Sequence, residues 1–370
     1  MTNTIFVNFN TGTFLSGTGV NSLTIDYGVF ISNVFSDGFS SVNAHVTNSV
    51  FYNNLLTSFW FNIDNNLYFR NNSFISEIYD TGPLINSFSI NLDSCSFYNI
   101  TIGTGSAASD YYDNHLDNAD PAQSDVENSN CLIKLTGKLD EMNTTVSNSV
   151  INQMSVDRVS IVFLLILNEV NLNFTNSVIT NIEGNVLNYD ENVVLSSQLT
   201  IYNVTMKDSK YAGIYYTSTL ANQQISIDTI FFTNITNGII LNILNPIDNQ
   251  LNSNMLQNIL ISNCTSITTS FSGDSTISNI IFANCSSNAN LMEFVLGKIV
   301  INDLQMNGSC CENTPIYVHD NANVFIDYAT IQYSWARKYA GAITVSNSGS
   351  LNISHSFINN NLALKGSSFS

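Results

Sequence analysis

The 370-residue chain is 44% hydrophobic and only 10% charged, so it can bury a large core and is not a disordered polar tract. Its formal net charge of −18, with only ten Lys and Arg residues, disfavours nucleic acids and anionic membranes as partners, because both carry negative charge.

The N-terminus opens without a secretory signal, since residues 1–4 contain neither a basic segment nor an apolar one. The longest apolar run, 161–167, is much shorter than the ~20 residues that a membrane-spanning helix needs, and it predicts a buried strand. We expect either a mature or partial chain, or export by another route.

One pattern recurs along the chain: an apolar residue, any residue, a second apolar residue, four further residues and a third apolar residue. We call this third residue the anchor. Clear copies end on the anchors Phe30, Phe74, Phe97, Ile179, Met206, Phe232, Met306, Ile331 and Ile358, and weaker copies end on Phe51, Ile151, Ile261 and Phe282. Successive anchors lie 21–29 residues apart, except for one gap of 54 residues.

This spacing predicts an all-β fold. Apolar residues at a period of two are typical of half-buried strands, and 21–29 residues hold two or three strands but not a βαβ unit. Such a coil closes its core only by stacking on the next coil. We therefore predict one right-handed parallel β-helix over residues 1–370, with about 13 coils. A leucine-rich repeat is the nearest alternative, but its leucines and single asparagine would need fixed places.

Asparagine is frequent two residues after the anchor, and we expect these side chains to form a structural ladder that points inward and bonds turn carbonyls. The ladder positions are Asn53, Asn99, Asn181, Asn234, Asn263, Asn284 and Asn360. Ser32, Ser76, Gln153 and Asp208 occupy the same position in other coils.

An acidic insertion at about 103–140 fills the double-length gap. Its carboxylates suggest a weak Ca²⁺ site formed by Asp110, Asp113, Asp117 and Asp120. The spacing matches no EF-hand loop, so a solvated acidic loop is the alternative, with a partner contact as a further hypothesis. No other cofactor is expected.

The six cysteines predict two or three disulfides, with buried free thiols as the alternative. Cys264 and Cys285 lie three residues after their anchors in successive coils, so the strand spacing places them within reach of a disulfide. The next coil offers Cys310 and Cys311 as competitors, and Cys95 and Cys131 bracket the acidic insertion.

Ten Asn-x-Ser/Thr sequons divide by register into two groups. We expect glycans on the outward group, which is Asn71, Asn143, Asn173, Asn203, Asn307 and Asn352. The other sequons are at the ladder positions Asn99, Asn234, Asn263 and Asn284, which we expect to point inward and to carry no glycan.

The C-terminal coil carries a resemblance to a known family. Residues 341–343 (Gly-Ala-Ile), followed by residues 357–360 (Phe-Ile-Asn-Asn), resemble the repeat of polymorphic outer-membrane-protein-like β-helices, within the pectin-lyase-like superfamily. One glycine precedes Ala342 where two are usual. The close match covers about the last 30 residues. The resemblance implies surface display, adhesion or an extracellular structural role.

Enzymatic signatures of that superfamily are missing from the sequence. The Asn-Thr-Asp, Asp-Asp, Gly-His-Gly and Arg-Ile-Lys motifs of polygalacturonase-like hydrolases do not occur. The chain has only three arginines, and its four histidines lack the spacing of metal ligands. We therefore expect a protein that is not an enzyme.

The sequence thus favours a non-enzymatic, extracellular or cell-surface protein with a structural or adhesive role, glycosylated on asparagine. Expected partners are further copies of itself, end to end, or other surface proteins and glycans, because residues 362–366 read as the approach to another coil without a cap. A carbohydrate-binding module or a polysaccharide-active enzyme on the same fold is the alternative.

Overall fold

The computed structural model describes residues 1–15, 20–56, 59–79, 83–102, 131–136, 142–156, 162–167, 170–182, 184, 186–191, 198–210, 212–218, 224–244 and 253–364. It is 74% strand, with no helix in these ranges, and forms a parallel β-solenoid of about 10 turns, slightly fewer than the 13 coils predicted. No helix in the described ranges is long and apolar enough to cross a membrane.

Two compact units divide the chain, Met1–Tyr189 and Asp190–Ser370. The strands of the first unit are β1 (Ile5–Val7), β2 (Asn10–Leu15), β3 (Ser22–Asp26), β4 (Val29–Ile31), β5 (Val34–Ser41), β6 (Asn43–Thr47), β7 (Val50–Tyr52), β8 (Leu55–Leu56), β9 (Phe61–Arg70), β10 (Ser73–Ile75), β11 (Ile78–Tyr79), β12 (Ile85–Asp93), β13 (Ser96–Ile102), β14 (Cys131–Thr136), β15 (Met142–Ser147), β16 (Val150–Val156), β17 (Val162–Leu167) and β18 (Val170–Ile182). Strand β19 (Leu187–Glu191) lies at the boundary.

The strands of the second unit are β20 (Gln198–Lys210), β21 (Ile214–Ser218), β22 (Gln224–Leu244), β23 (Ser253–Ser262), β24 (Thr265–Ser272), β25 (Ser275–Ala283), β26 (Ser286–Ser287), β27 (Met292–Asn307), β28 (Cys310–Cys311), β29 (Ile316–Val318), β30 (Ala322–Gln332), β31 (Trp335–Ala336), β32 (Ile343–Val345), β33 (Ser350–Ser354), β34 (Phe357–Asn359) and β35 (Leu362–Ala363).

The anchors of the first unit pair in parallel register, which confirms the period predicted from the sequence. The pairs are Phe30 with Phe51, Phe51 with Phe74, Phe74 with Phe97, Phe97 with Ile151 and Ile151 with Ile179. Phe6, which the pattern missed, extends the column by pairing with Phe30. From Phe6 to Phe97 the rings stack with centroids 4.5–5.1 Å apart.

The second unit repeats this arrangement with mixed anchors. The pairs are Met206 with Phe232, Phe232 with Ile261, Ile261 with Phe282, Phe282 with Met306, Met306 with Ile331 and Ile331 with Ile358. All of these side chains are buried except Ile358, which is partly exposed. One apolar column therefore runs through the core of each unit.

Two sharp bends flank nearly every anchor, one three residues before it and one two residues after it. Both bend residues have a positive φ, in the left-handed region that asparagine tolerates better than most residues. The bends before the anchor include Asn48, Asn71, Asn148, Asn176, Asn203, Asn258 and Asn279, with φ of 49–55°. The bends after it include Asn53, Asn99, Asn181, Asn234, Asn263, Asn284 and Asn360, with φ of 52–54°. The conformation of the bends therefore accounts for much of the chain's asparagine.

We expect Phe51→Ala to lower the free energy of unfolding by about 3–5 kcal/mol, because it removes a fully buried ring stacked between Phe30 and Phe74 and leaves a cavity. Urea denaturation at low protein concentration measures this loss. The control is Val50→Thr, on the outer side of the same strand, with an expected change of about 0.5 kcal/mol or less. Equal losses in both variants would contradict the assignment of inner and outer positions.

Candidate functional surface

The predicted asparagine ladder lies on the outside of the solenoid. All seven ladder asparagines are exposed, so the prediction that they point inward is wrong. At a bend of positive φ the side chain leaves the chain outward, and the next residue is the one that turns into the core. The inward position is therefore three residues after the anchor rather than two.

These exposed asparagines, which we call the outer ladder, nevertheless link successive coils. Asn53 Nδ2 donates to Ser32 Oγ (3.3 Å) and Asn99 Nδ2 donates to Ser76 Oγ (3.1 Å). Further bonds run from Asn181 Nδ2 to Asn152 Oδ1 (3.0 Å), from Asn234 Nδ2 to Asp208 Oδ1 (2.8 Å) and from Asn284 Nδ2 to Asn263 Oδ1 (3.5 Å). The predicted contacts between coils thus form at an exposed site, where each contributes little stability.

A second, buried ladder lies one residue further on, at Asn33 and Asn54. Asn54 Oδ1 accepts hydrogen bonds from the backbone N–H of Asn33 and from Asn33 Nδ2, both at 2.9 Å. Asn54 Nδ2 donates to the carbonyl of Phe30 (3.1 Å) and to Glu77 Oε1 (2.8 Å). These side chains satisfy backbone groups that the bend removes from the strand ladder. Polar residues recurring three positions after the anchor were the sequence signal for this column.

Glu77 ends the buried ladder. Its Oε1 accepts bonds from the backbone N–H (3.2 Å) and side chain of Asn54, and its Oε2 accepts a bond from Trp60 Nε1 (2.6 Å). The side chain is fully buried, and this burial raises the pKa of Glu77 to about 8 although all three hydrogen bonds lower it. The carboxyl group is therefore buried inside the first unit and is mainly protonated at neutral pH.

Residues two positions before the anchor form another inward polar column. Ser49 Oγ accepts from the backbone N–H of Gly28 (3.0 Å), and Asn72 Oδ1 accepts from the backbone N–H of Ser49 (2.9 Å). Asn72 Nδ2 donates to the carbonyl of Val46 (2.7 Å). Both bends of a coil are thus followed by an inward side chain that can bond the neighbouring coil's backbone.

Aspartates four residues before the anchor clasp the next coil from outside. Asp26 Oδ1 accepts from Thr47 Oγ1 (2.7 Å) and Asn48 Nδ2 (3.0 Å), and Asp93 Oδ1 accepts from Ser147 Oγ (3.0 Å) and Asn148 Nδ2 (2.8 Å). The second unit repeats the arrangement at Asp228, which accepts from Asn258 Nδ2 (2.8 Å), and at Asp327, which accepts from Ser354 Oγ (2.8 Å) and lies 2.7 Å from His355 Nδ1. We call these four the aspartate clasps.

The clasps were missed in the sequence. Their signal is an Asp aligned with Ser/Thr-Asn in the next coil at Asp26 and Asp93, with Gln-Asn at Asp228 and with Ser-His at Asp327. Hydrogen bonds from the next coil favour the charged carboxylate. They lower the pKa of Asp26, Asp93, Asp228 and Asp327. Desolvation acts in the opposite direction, and at Asp228 it is the largest single influence, but the hydrogen bonds together outweigh it.

The predicted disulfides are not formed among the cysteines whose side chains are described. Cys95, Cys264, Cys285, Cys310 and Cys311 are free thiols. Three of the sulfurs bond backbone carbonyls instead: Cys95 Sγ bonds Asp93 O (3.4 Å), Cys264 Sγ bonds Ser262 O (3.2 Å) and Cys285 Sγ bonds Ala283 O (3.4 Å). Burial raises the pKa of Cys95 to about 11, which keeps the thiol protonated. The Cys131 side chain lies outside the described part.

The predicted metal ligands Asp110, Asp113, Asp117 and Asp120 all lie outside the described residues. Within the described residues, no group of three or more His, Cys, Asp or Glu side chains is placed to hold a metal ion.

Nine of the ten sequons have described side chains, and all nine are exposed. They include five of the six expected to point outward, Asn71, Asn173, Asn203, Asn307 and Asn352, whereas the Asn143 side chain lies outside the described part. Asn99, Asn234, Asn263 and Asn284 are exposed as well, which corrects the expectation that they are buried. Register therefore does not divide the sequons into inner and outer groups.

A continuous apolar patch covers the outside of the anchor strands in the first unit. It is formed by the side chains on either side of the anchor, together with those four residues after it. We call it the outer apolar face: Ile5, Val7, Val29, Ile31, Val34, Val50, Tyr52, Leu55, Ile75, Ile78 and Tyr98. Seven of these side chains are 38–67% exposed, which is unusual for large apolar groups that lie next to one another.

We expect the wild type to lose stability as the pH rises and the Glu77→Gln variant to lack this loss. The folded-state pKa of Glu77 is about 8, above the ordinary 4.5, so the folded chain holds a proton that the unfolded chain releases. This stability is fully present below pH 4.5 and is lost as the pH rises through about 8, by up to about 1.4 kcal/mol per unit.

Urea denaturation across that pH range measures the slope. The control is Glu312→Gln, at a partly exposed ion pair with Arg337 (3.3 Å), which should leave the slope unchanged. A wild type whose stability is flat over this range would contradict the assignment to Glu77.

Replacing the four clasp aspartates with asparagine should weaken the acid dependence of stability. Their pKa values are lowered below the ordinary 3.8, so the stability they contribute is present above pH 3.8 and is lost as the pH falls through the lower folded-state values. The thermal midpoint measured against pH gives the acid limb. Asp303→Asn is the control, because Asp303 accepts a bond from Gln305 of its own coil. The idea fails if both variants keep the wild-type acid limb.

No protein-family model matches the chain, and no curated protein sequence matches it. The fold is therefore assigned from the strand register, as a parallel β-solenoid.

Proposed function

We propose that this chain is a non-enzymatic structural or adhesive β-solenoid of a cell surface, an extracellular matrix or a filament. One observation carries the proposal: polar side chains that recur at matching positions bond the next coil. The outer ladder, the buried ladder and the aspartate clasps all have this arrangement. Repetition of contacts between coils is what a load-bearing or display solenoid requires.

The carboxylates with the most altered pKa values support a structural role. A catalytic acid or base must reach its substrate. Glu77 instead lies wholly buried against Trp60 and Asn54, and the clasp carboxylates accept bonds from the neighbouring coil. Their altered pKa values are explained by the fold itself, so they supply no argument for catalysis.

The position of Gly341 supports the resemblance to pectin-lyase-like surface repeats. A Cβ atom at this residue would lie 2.8 Å from backbone atoms of Leu362 in the next coil. Only glycine fits such an approach without a shift of the backbone. The glycine of the Gly-Ala-Ile motif thus has a packing role between coils, which suits a repeat motif.

The exposed sequons support an extracellular location. Nine lie on the outer surface, where a glycan meets no steric barrier from the core. In this proposal the partners are further copies of the chain end to end, or other surface proteins and glycans.

Electron microscopy of the native material, with intact-glycopeptide mass spectrometry of the same sample, tests the proposal. We expect rods or filaments, with glycans on the exposed sequons, which are Asn71, Asn173, Asn203, Asn307 and Asn352 together with Asn99, Asn234, Asn263 and Asn284. Treatment with an amidase that removes N-glycans is the control, since it should convert occupied asparagines to aspartate. Short single particles without glycans would contradict both the structural role and the extracellular location.

A further inference from the structure

The outer apolar face of the first unit is built from three columns of side chains in register. The column after the anchor runs Val7, Ile31, Tyr52, Ile75 and Tyr98, and each residue pairs with the next. The column before the anchor holds Ile5, Val29, Val50, Ser73 and Ser96. The third column holds Asn10, Val34, Leu55, Ile78 and Thr101. Eleven of these fifteen residues are aliphatic or aromatic, and none is charged.

Several of the polar groups on and beside this face are already paired. Ser96 Oγ donates to Ser73 Oγ (3.0 Å), and the outer ladder between the columns bonds Asn53 to Ser32 and Asn99 to Ser76. Covering the face would therefore leave few of these groups without a partner, and unpaired groups are the main cost of burying polar surface. The Tyr52 and Tyr98 hydroxyls are the groups that would need a partner or access to water.

One column of the equivalent surface differs in the second unit. There the column after the anchor reads Lys207, Thr233, Ser262, Ala283, Asn307, Gln332 and Asn359, whereas the column before the anchor stays apolar at Phe231, Leu260 and Ile281. The column after the anchor is thus mainly polar in the second unit and apolar from Val7 to Tyr98 in the first. The apolar character of this column therefore does not follow from the needs of the solenoid.

We propose that the outer apolar face is a self-association surface, on which the same face of a second copy packs sheet against sheet. This contact is lateral, so it goes beyond the end-to-end assembly of the proposed function and does not depend on it.

The register of the columns favours a second copy as the occupant, and the absence of charge on the face permits it. The chain carries a net charge of −18, so two copies repel over most of their surfaces. The outer apolar face is a charge-free area where they can approach closely. Both faces also share one strand spacing of about 4.8 Å, so their rows fit in register. Tyr52 and Tyr98 alternate with the smaller Ile75, which gives rings on one copy a recess on the other.

The size of the face sets the expected strength. Its fifteen residues compare with about 20–30 residues on each side of a standard interface. We therefore expect a two-fold dimer with a dissociation constant on the order of 10 µM, below the affinity of permanent dimers.

Sedimentation equilibrium of the full chain over a concentration series tests the proposal. The wild type should dimerise, and the double variant Tyr52→Glu/Tyr98→Glu should weaken the dimer at least ~100-fold, because four charges would be buried without partners. Gln332→Glu adds a charge at the equivalent position of the second unit and should leave the dimer unchanged. Circular dichroism checks that each variant folds, and replacing both tyrosines with serine is the uncharged alternative if the double variant does not.

Hydroxyl-radical footprinting identifies the occupant. Protection of Tyr52 and Tyr98 that increases with protein concentration supports a second copy. Protection that is the same at all concentrations would show that another part of the chain covers the face, and would overturn the proposal. A wild type that stays monomeric at about 1 mM, with both tyrosines reactive, would also overturn it. A dimer that the double variant retains would place the interface elsewhere.

Discussion

The pair of left-handed bends around each anchor is the constraint on which the rest of the structure depends. A solenoid coil of 21–29 residues must turn sharply, and here it does so at single residues with φ near 50°, such as Asn48 and Asn53. Asparagine accepts this conformation at lower cost than most side chains. Because the bends lie at fixed distances from the anchor, they set which side chains enter the core and which remain outside.

The bends leave backbone N–H and C=O groups without partners in the strand ladder, and the inward polar side chains supply hydrogen bonds to them. Asn54 and Asn72 each bond backbone groups of a neighbouring coil, so the core contains amides beside its apolar side chains. In the coil of Glu77 the same position holds a carboxyl group, which can accept the bonds of Asn54 and Trp60 but has to be desolvated. The proton linkage of the first unit follows from that single exchange of an amide for an acid.

The outside of the solenoid uses its few charges for contacts between coils. The clasp carboxylates accept bonds from the hydroxyl and amide groups of the next coil, and the outer ladder adds uncharged bonds beside them. The same residues thus hold adjacent coils together and keep the surface polar with few charges. The outer apolar face of the first unit is the exception, since the exposed side chains of Tyr52, Leu55 and their apolar neighbours are poorly solvated.

The sequence by itself determined the all-β class, the period and the anchors, because a buried position recurring every 21–29 residues leaves an apolar residue at each repeat. It also predicted bonds between successive coils at the ladder positions such as Asn53 and Asn99, but it missed those of Asn54 and Asn72. It did not determine their direction, because the positive φ at Asn53 and its equivalents moves the inward position by one residue, and a shift of one residue exchanges inside and outside. Only the tertiary structure decided that Glu77 is buried, that the Cys264 and Cys285 thiols bond carbonyls of the preceding coil, and that Asp93 meets Asn148. Those contacts join residues of different coils, and the insertions between coils vary in length, so the alignment of one coil on the next is fixed by packing rather than by spacing along the chain.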